Sequence, residues 1–168
     1  MPTEFRLAVS TLMDEPSVTS LLTASYSSLM ASSYDDVVLN PALPLMTKAN
    51  PTLLNSGTYY LALSKDGVIV GAGGWTKERP GSGVVLPGLA HIRHFATHPD
   101  WLGLGIGKAI YHRCKETARI NGIIHFECYS SLNAEKFYRT LGFHANQNVD
   151  LAMGQGISFP SILMKTSL

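Results

Sequence analysis

Charge is scarce in this chain. Asp, Glu, Lys and Arg make up 15% of its 168 residues, against roughly 25% in an average soluble protein. The 13 basic and 12 acidic side chains leave a net charge of +1. No run of Lys or Arg occurs, so the electrostatic footprint of a nucleic-acid binder is missing and no nucleic-acid partner is expected. Long apolar runs are missing too. No stretch approaches the roughly 18 uninterrupted apolar residues of a membrane span. The start, MPTEFRLAVSTLMDEP, has neither the basic segment nor the apolar centre of a secretory leader. The expectation is a cytoplasmic protein with no membrane partner. Cysteine is limited to Cys114 and Cys128, read as buried free thiols of a reducing compartment rather than a disulfide. Repeats and low-complexity tracts are absent. The length suits one domain, 1–168, with a single core, and 45% hydrophobic residues suit a compact fold with an apolar pocket.

What is present centres on residues 89–119, LAHIRHFATHPDWLGLGIGKAIYHRCKETAR. Leu89 to Thr97 has no helix-length period, and His98-Pro99-Asp100 ends it, because proline cannot continue a ladder. A strand ending near His98 is expected. From Ile106 onward, Ile106, Ile110, Cys114 and Ala118 recur every four residues, with Lys108, His112, Lys115 and Arg119 on the other side. That spacing predicts an amphipathic helix of about three to four turns. Between strand and helix stand Gly103, Gly105 and Gly107. Such a turn allows positive φ, and the first turn of the helix offers unpaired N–H groups at the positive end of its dipole. The combination is a phosphate cradle, with a pyrophosphate as its natural guest.

Spacing separates the known cradles. A P-loop needs four residues before its Gly-Lys pair and then Ser or Thr; here three residues separate Gly103 from Gly107, and Ala109 follows Lys108. A dinucleotide fingerprint needs a third glycine where Lys108 stands, although Glu127 lies near the position of its acidic residue; it remains a rival.

The flanking chain completes the expectation. Glu4 to Ser10 reads as a strand, followed by a helix capped at Asp14, with Pro16 in its first turn, running to about Ser32. Tyr34 to Asn40 reads as a connection, Pro41 to Lys48 as a second helix, and Asn50-Pro51 as the start of a short helical turn. Thr58 to Ser64 and Val68 to Thr76 form a hairpin about Asp66-Gly67. Gly71, Gly73 and Gly74 suggest a bulge or close backbone contact in its second strand rather than another phosphate loop. Pro80 to Gly88 is a loop near the substrate mouth. A strand from Ile123 to Tyr129, a short helix from Asn133 to Leu141 and a hairpin about 154–156 follow.

Leu102-Gly103-Leu104-Gly105-Ile106-Gly107 resembles the Gln/Arg-x-x-Gly-x-Gly/Ala pattern of the GNAT N-acetyltransferase superfamily. Asn133-Ala134-Glu135-Lys136-Phe137-Tyr138, continuing to Gly142-Phe143, is similar to that family's late motif. Leu102 departs from the usual Gln or Arg, and Leu104 from an arginine often found nearby. The resemblance implies an α/β (α+β) GNAT fold, a mixed sheet of six to seven strands with helices on both faces in the order βααβββαβαββ. It further implies acetyl-CoA as co-substrate, an amine acceptor, no metal, and a homodimer as one possible assembly. The backbone of Phe95, Ala96 and Thr97 would pair with the pantetheine arm, and the amides of Gly103, Leu104, Gly105, Ile106, Gly107 and Lys108 would hold the pyrophosphate, with Leu102, Asn133, Phe137 and Tyr138 completing the cofactor site.

Acetyl transfer to an amine needs donors for a developing oxyanion, a route for the ammonium proton and an acid for the thiolate. A bulge splaying the cofactor strand from its neighbour would supply main-chain donors near Phe95 to Thr97. Tyr138 is the acid by resemblance; by position alone it is a core aromatic. Asn133 is expected to cap the short helix. Alternation places His91, Arg93 and Phe95 on one face and His94 on the other, so His91 is the first candidate base, with Glu127 second. The six histidines show no ligand spacing. The acceptor is expected against 26–57 and the Pro80 to Gly88 loop, where Tyr26, Met30, Tyr34, Leu43, Leu45 and Met46 offer apolar surface. An acyl-CoA-binding sensor without turnover is the alternative function.

Overall fold

The computed structural model describes residues 4–168. Its strands are β1 (Phe5–Val9), β2 (Tyr59–Ser64), β3 (Ile69–Thr76), β4 (Leu89–Thr97), β5 (His125–Ser131), β6 (His144–Gly154) and β7 (Ile157–Ser167). Its helices are α1 (Glu15–Leu29), α2 (Asp36–Met46), α3 (Pro51–Leu54), α4 (Ile106–Ile120) and α5 (Glu135–Thr140). The seven strands form one sheet in the order β1-β2-β3-β4-β5-β7-β6. Neighbours are antiparallel except β4 and β5, which run parallel. This is the mixed α/β architecture that the motif order implies.

Helix α4 covers one face through the expected stripe. Ile106, Ile110, Cys114 and Ala118 are buried with Ala62, Val70, Ala90, Phe126 and Met164, and each fully buried isoleucine contributes about 2 kcal/mol. Helix α1 covers the other face, burying Val18, Leu21 and Leu22 with Leu61, Ala72 and Ala96. The glycines of β3 allow two close approaches, of α4 at Gly71 and of the start of β2 at Gly74. A Cβ on Gly71 would collide with Ile106 Cγ2, and one on Gly74 with the Thr58 carbonyl oxygen.

Three local expectations are corrected. Residues 34–40 are not a connection, because α2 begins at Asp36 and carries Pro41 and Pro44 inside it. Each proline removes an N–H, leaving the carbonyls of Val37 and Asn40 without their helical donors. The helix survives because Val37, Asn40 and both prolines are exposed, so water can satisfy those carbonyls, while Leu39 and Ala42 are buried on the opposite side. Asp14 does not cap α1 through its side chain; its carboxylate accepts from the Thr11 N–H at 2.8 Å, closing a capping box over residues 12–14. Asn133 caps nothing either. It lies inside a one-turn 3-10 helix (Leu132–Ala134), and neither that turn nor α5 has a side-chain cap.

Candidate active site

The parallel pairing of β4 with β5 lasts three residues, Leu89 with His125, Ala90 with Phe126 and His91 with Glu127. Beyond it the two strands separate, and the cause lies on the other edge of β4. Gly74 pairs with Arg93 and Ala72 with Ala96, so Gly73 alone opposes both His94 and Phe95. His94 has a φ of 45°, a left-handed geometry that costs a residue with a Cβ about 1–2 kcal/mol. Two tyrosines hold it there. The Tyr59 hydroxyl donates to the His94 carbonyl at 2.8 Å, and the Tyr26 hydroxyl donates to the Phe95 carbonyl at 3.0 Å. Gly73 leaves the room required, since a Cβ there would meet the Phe95 ring at 2.5 Å. A β-bulge of this kind re-aims side chains. Phe95 therefore leaves the face of His91 and Arg93, correcting the simple alternation, and packs against Phe137 and Tyr138 at centroid distances of 6.4 and 6.2 Å. After the bulge the strand is regular again. His98 donates its N–H to Val70 at 2.9 Å, and because successive donors point to opposite edges, the Thr97 N–H is directed towards the β5 side.

A cavity of about 290 Å³ occupies the opening. Arg93, His94 and Phe95 of β4, Cys128 and Tyr129 of β5, and Tyr138 of α5 line it. Of the expected acceptor surface, Tyr26, Met30, Leu45, Met46 and the loop residues Pro80 and Gly81 are on the wall. Tyr34 and Leu43 are not. Tyr34 stacks on Phe159 at 4.3 Å, donates to the Pro160 carbonyl at 2.6 Å and accepts from the Leu132 N–H at 2.8 Å; it ties β7 to the 3-10 turn that precedes α5. The far wall consists of Leu151, Ala152, Met153, Phe159 and Ser161 from the last hairpin. No local motif marks these residues, which reach the cavity only because β7 pairs with β5.

Tyr138 is 6% exposed, and burial holds its phenol well above the usual value. It stays protonated throughout the neutral range. Burial likewise pushes up the Cys128 thiol on the wall, leaving it a poor nucleophile. His94, which alternation turned away, stands on the wall; burial and then the Arg93 charge bring its pKa down to about 4. It is a neutral hydrogen-bonding group at pH 7.

His91 and Glu127 form the last paired rung and are outside the cavity lining. Both are buried, at 1% and 4% exposure. The Glu127 carboxylate is held by Arg79 Nη2 and Lys165 Nζ, each at 3.3 Å, with His91 Nδ1 at 3.5 Å. Burial lowers the His91 pKa more strongly than the Glu127 charge raises it. Neither ring nitrogen of His91 makes a hydrogen bond among the described residues.

The glycine turn is built as an anion cradle. Gly103 and Gly105 have φ of 73° and 80°, and a Cβ at either would meet nothing within 4 Å, so backbone conformation rather than space requires glycine there. Gly107 differs: a Cβ would meet the Phe137 ring at 2.9 Å, so this glycine seats α5 against α4. The Ala109 N–H bonds the Gly105 carbonyl at 3.0 Å, which leaves the amides of 106–108 without intrahelical acceptors. Leu102 and Leu104 are 48% and 42% exposed beside them. Among the described residues no three His, Cys, Asp or Glu side chains are grouped to hold a metal ion, and no helix is long and apolar enough to cross a membrane.

The mixed sheet opens between its two parallel strands, with a bulge on the other edge of β4 and an anion cradle at the start of the following helix, an arrangement suited to group transfer from a phosphate-bearing donor. The acetyltransferase (GNAT) domain model matches residues 39–162, and the chain belongs to this family of acetyl-CoA-dependent acyltransferases. Solved structures agree on the fold. A GCN5-related N-acetyltransferase from Rhodopseudomonas palustris superposes with a TM-score of 0.74 at 20% identity, covering 100% of this chain and 97% of that one. PaiA N-acetyltransferase from Thermoplasma acidophilum, in complex with coenzyme A, gives 0.73 at 12% identity over 98% and 99%. A GCN5-related N-acetyltransferase from Kribbella flavida gives 0.62 at 20% identity over 98% of each chain. Comparison with curated protein sequences returned no match.

Proposed function

We propose that the protein transfers the acetyl group of acetyl-CoA directly to the primary amine of a small acceptor held in the cavity beside β4. The observation that carries this reading is the juxtaposition of three features: a β4 edge released from β5, a buried protonated tyrosine on the cavity wall, and a turn with free amides at the head of α4. The amides of 103–108 hold the pyrophosphate without side-chain charge from Leu102 or Leu104, and open space around Gly103 and Gly105 fits such a group. The released edge of 95–97 takes the pantetheine arm and supplies main-chain donors to the carbonyl oxygen. Phe137 packs the arm's end of α5, and exposed Asn133 is available to its amides.

Acetyl-CoA supplies an activated thioester carbonyl. The acceptor nitrogen forms the new N–C bond as the C–S bond breaks. Tyr138 donates its proton to the departing thiolate and recovers one from the acceptor nitrogen through solvent. Because an amine is mostly protonated at neutral pH, a further proton must leave first. His91, neutral and with unused ring nitrogens, receives it through water; Glu127, neutralised by Arg79 and Lys165, holds the imidazole's surroundings. The protonated Cys128 favours direct attack over an acetylated enzyme. A cytoplasmic setting belongs to the same proposal and is supported by the two buried free thiols.

Release of free thiol from acetyl-CoA across an amine panel tests the reading. Tyr138→Phe is expected to lower kcat by roughly 100-fold or more with acetyl-CoA affinity kept; unchanged turnover removes Tyr138 from the mechanism. The sensor reading rests on one observation, that neither candidate base lines the cavity, and acetyl-CoA binding with no thiol released by any amine would favour it.

A further inference from the structure

The cavity wall has a charge imbalance. Among the described residues lining it there is no Asp or Glu, and Arg93 is its one permanently charged side chain. Neighbouring cations are already committed: Arg79 and Lys165 both pair with Glu127. Arg93 makes no salt bridge among the described residues. One of its five donors is used, from Nη1 to the Thr76 hydroxyl at 3.0 Å, and the others find no acceptor among the described residues. Glu78 influences it electrostatically but forms no ion pair with it, and the adjacent His94 is neutral. The unused Arg93 donors are not sealed from solvent, so a ligand in the cavity can reach them, and partial burial strengthens their attraction for an anion. Guanidinium geometry favours carboxylate. Much of the remaining wall is apolar, with Met30, Leu45, Met46, Leu151, Met153 and Phe159, and Met30, Met46, Met153 and Phe159 share one packed cluster.

Resting on the acetyltransferase reading above, we propose that the acceptor is an amino-acid-like zwitterion, an amine with an apolar body and a carboxylate bound by Arg93, which makes Arg93 the specificity-determining residue. A polyamine or an aminoglycoside, cationic along its whole length, would meet an unneutralised arginine and no carboxylate.

Matched pairs test this directly: L-methionine, L-leucine and L-phenylalanine against 3-(methylthio)propylamine, isoamylamine and phenethylamine, with spermidine as a cationic probe. Thiol release is followed for each, and acetyl-CoA binding is measured separately by calorimetry. The expected result is a kcat/KM higher by roughly 10- to 100-fold for at least one carboxylate-bearing member over its partner, the range of a charged hydrogen bond, and expressed mainly in KM. Arg93→Met should collapse that ratio towards one, while Arg93→Lys keeps part of it. Equal or faster turnover of the decarboxylated members, preference for spermidine, an unaltered ratio in Arg93→Met, or refusal of every amino acid by protein that binds acetyl-CoA would each overturn the proposal and leave the acetyltransferase reading standing wherever another amine is acetylated. Absence of acetyl-CoA binding would instead bring down the acetyltransferase reading, and this inference with it.

Discussion

The two halves of β4 share one strand and have opposite characters. Its first half, Leu89 to His91, is zipped to β5 and closed over a buried charge cluster in which Glu127 meets Arg79, Lys165 and His91. Its later residues have let go of β5, and Ile92, Arg93, His94 and Phe95 border the cavity. The switch takes three residues and depends on a bulge opposite a glycine, fastened by two tyrosine hydroxyls. A site of this kind is made by interrupting a ladder, and the paired half keeps the interruption local.

The open half should be the easier to break. Gly73→Val drives a side chain into the Phe95 ring, so the bulge cannot form as it stands; overpacking of this kind costs about 1–3 kcal/mol, and the loss of site geometry should remove at least 99% of turnover, read by thiol release and thermal unfolding together. Preserved turnover would mean that the opening does not depend on the bulge. In the closed half, Glu127→Gln leaves Arg79 and Lys165 without their counterion. Both cations reach solvent, so the loss is expected at about 1–2 kcal/mol, seen as a lower Tm. A smaller effect separates the halves by pH. His94 has a folded-state pKa of about 4, below its unfolded value near 6.5. The stability tied to its neutral form is complete above pH 6.5 and is lost as pH falls towards 4. His91 is shifted in the same direction, so acid should weaken both halves. His94→Asn, which tolerates positive φ, should flatten only part of the decline in Tm between pH 6.5 and 4; a slope identical to the parent's would contradict the assignment.

Much of this was legible in the sequence, for reasons that differ by element. Asp66-Gly67 between β-rich runs, the four-residue stripe of α4 and the glycines before it are local signals, and local signals fixed the strand, turn and helix that build the cradle. The bulge was legible as a need but not as a register. Alternation predicts the facing of Phe95 only while the ladder is uninterrupted, and the residue that interrupts it, Gly73, lies on another strand. Pro41 and Pro44 disguised the start of α2 because their exposure, which makes them tolerable, is a tertiary property. The far wall was invisible for the same reason: Leu151, Met153 and Phe159 become neighbours of Arg93 only through the pairing of β7 with β5. Asn133 read as a cap because of its residue type, whereas its backbone is inside a 3-10 turn.

The most direct measurement is amide hydrogen exchange across β4 and the glycine turn with and without acetyl-CoA. The account predicts new protection at 95–97 and 103–108, with 89–91 already protected and unchanged. Protection confined to other segments, or none at all at saturating acetyl-CoA, would contradict it.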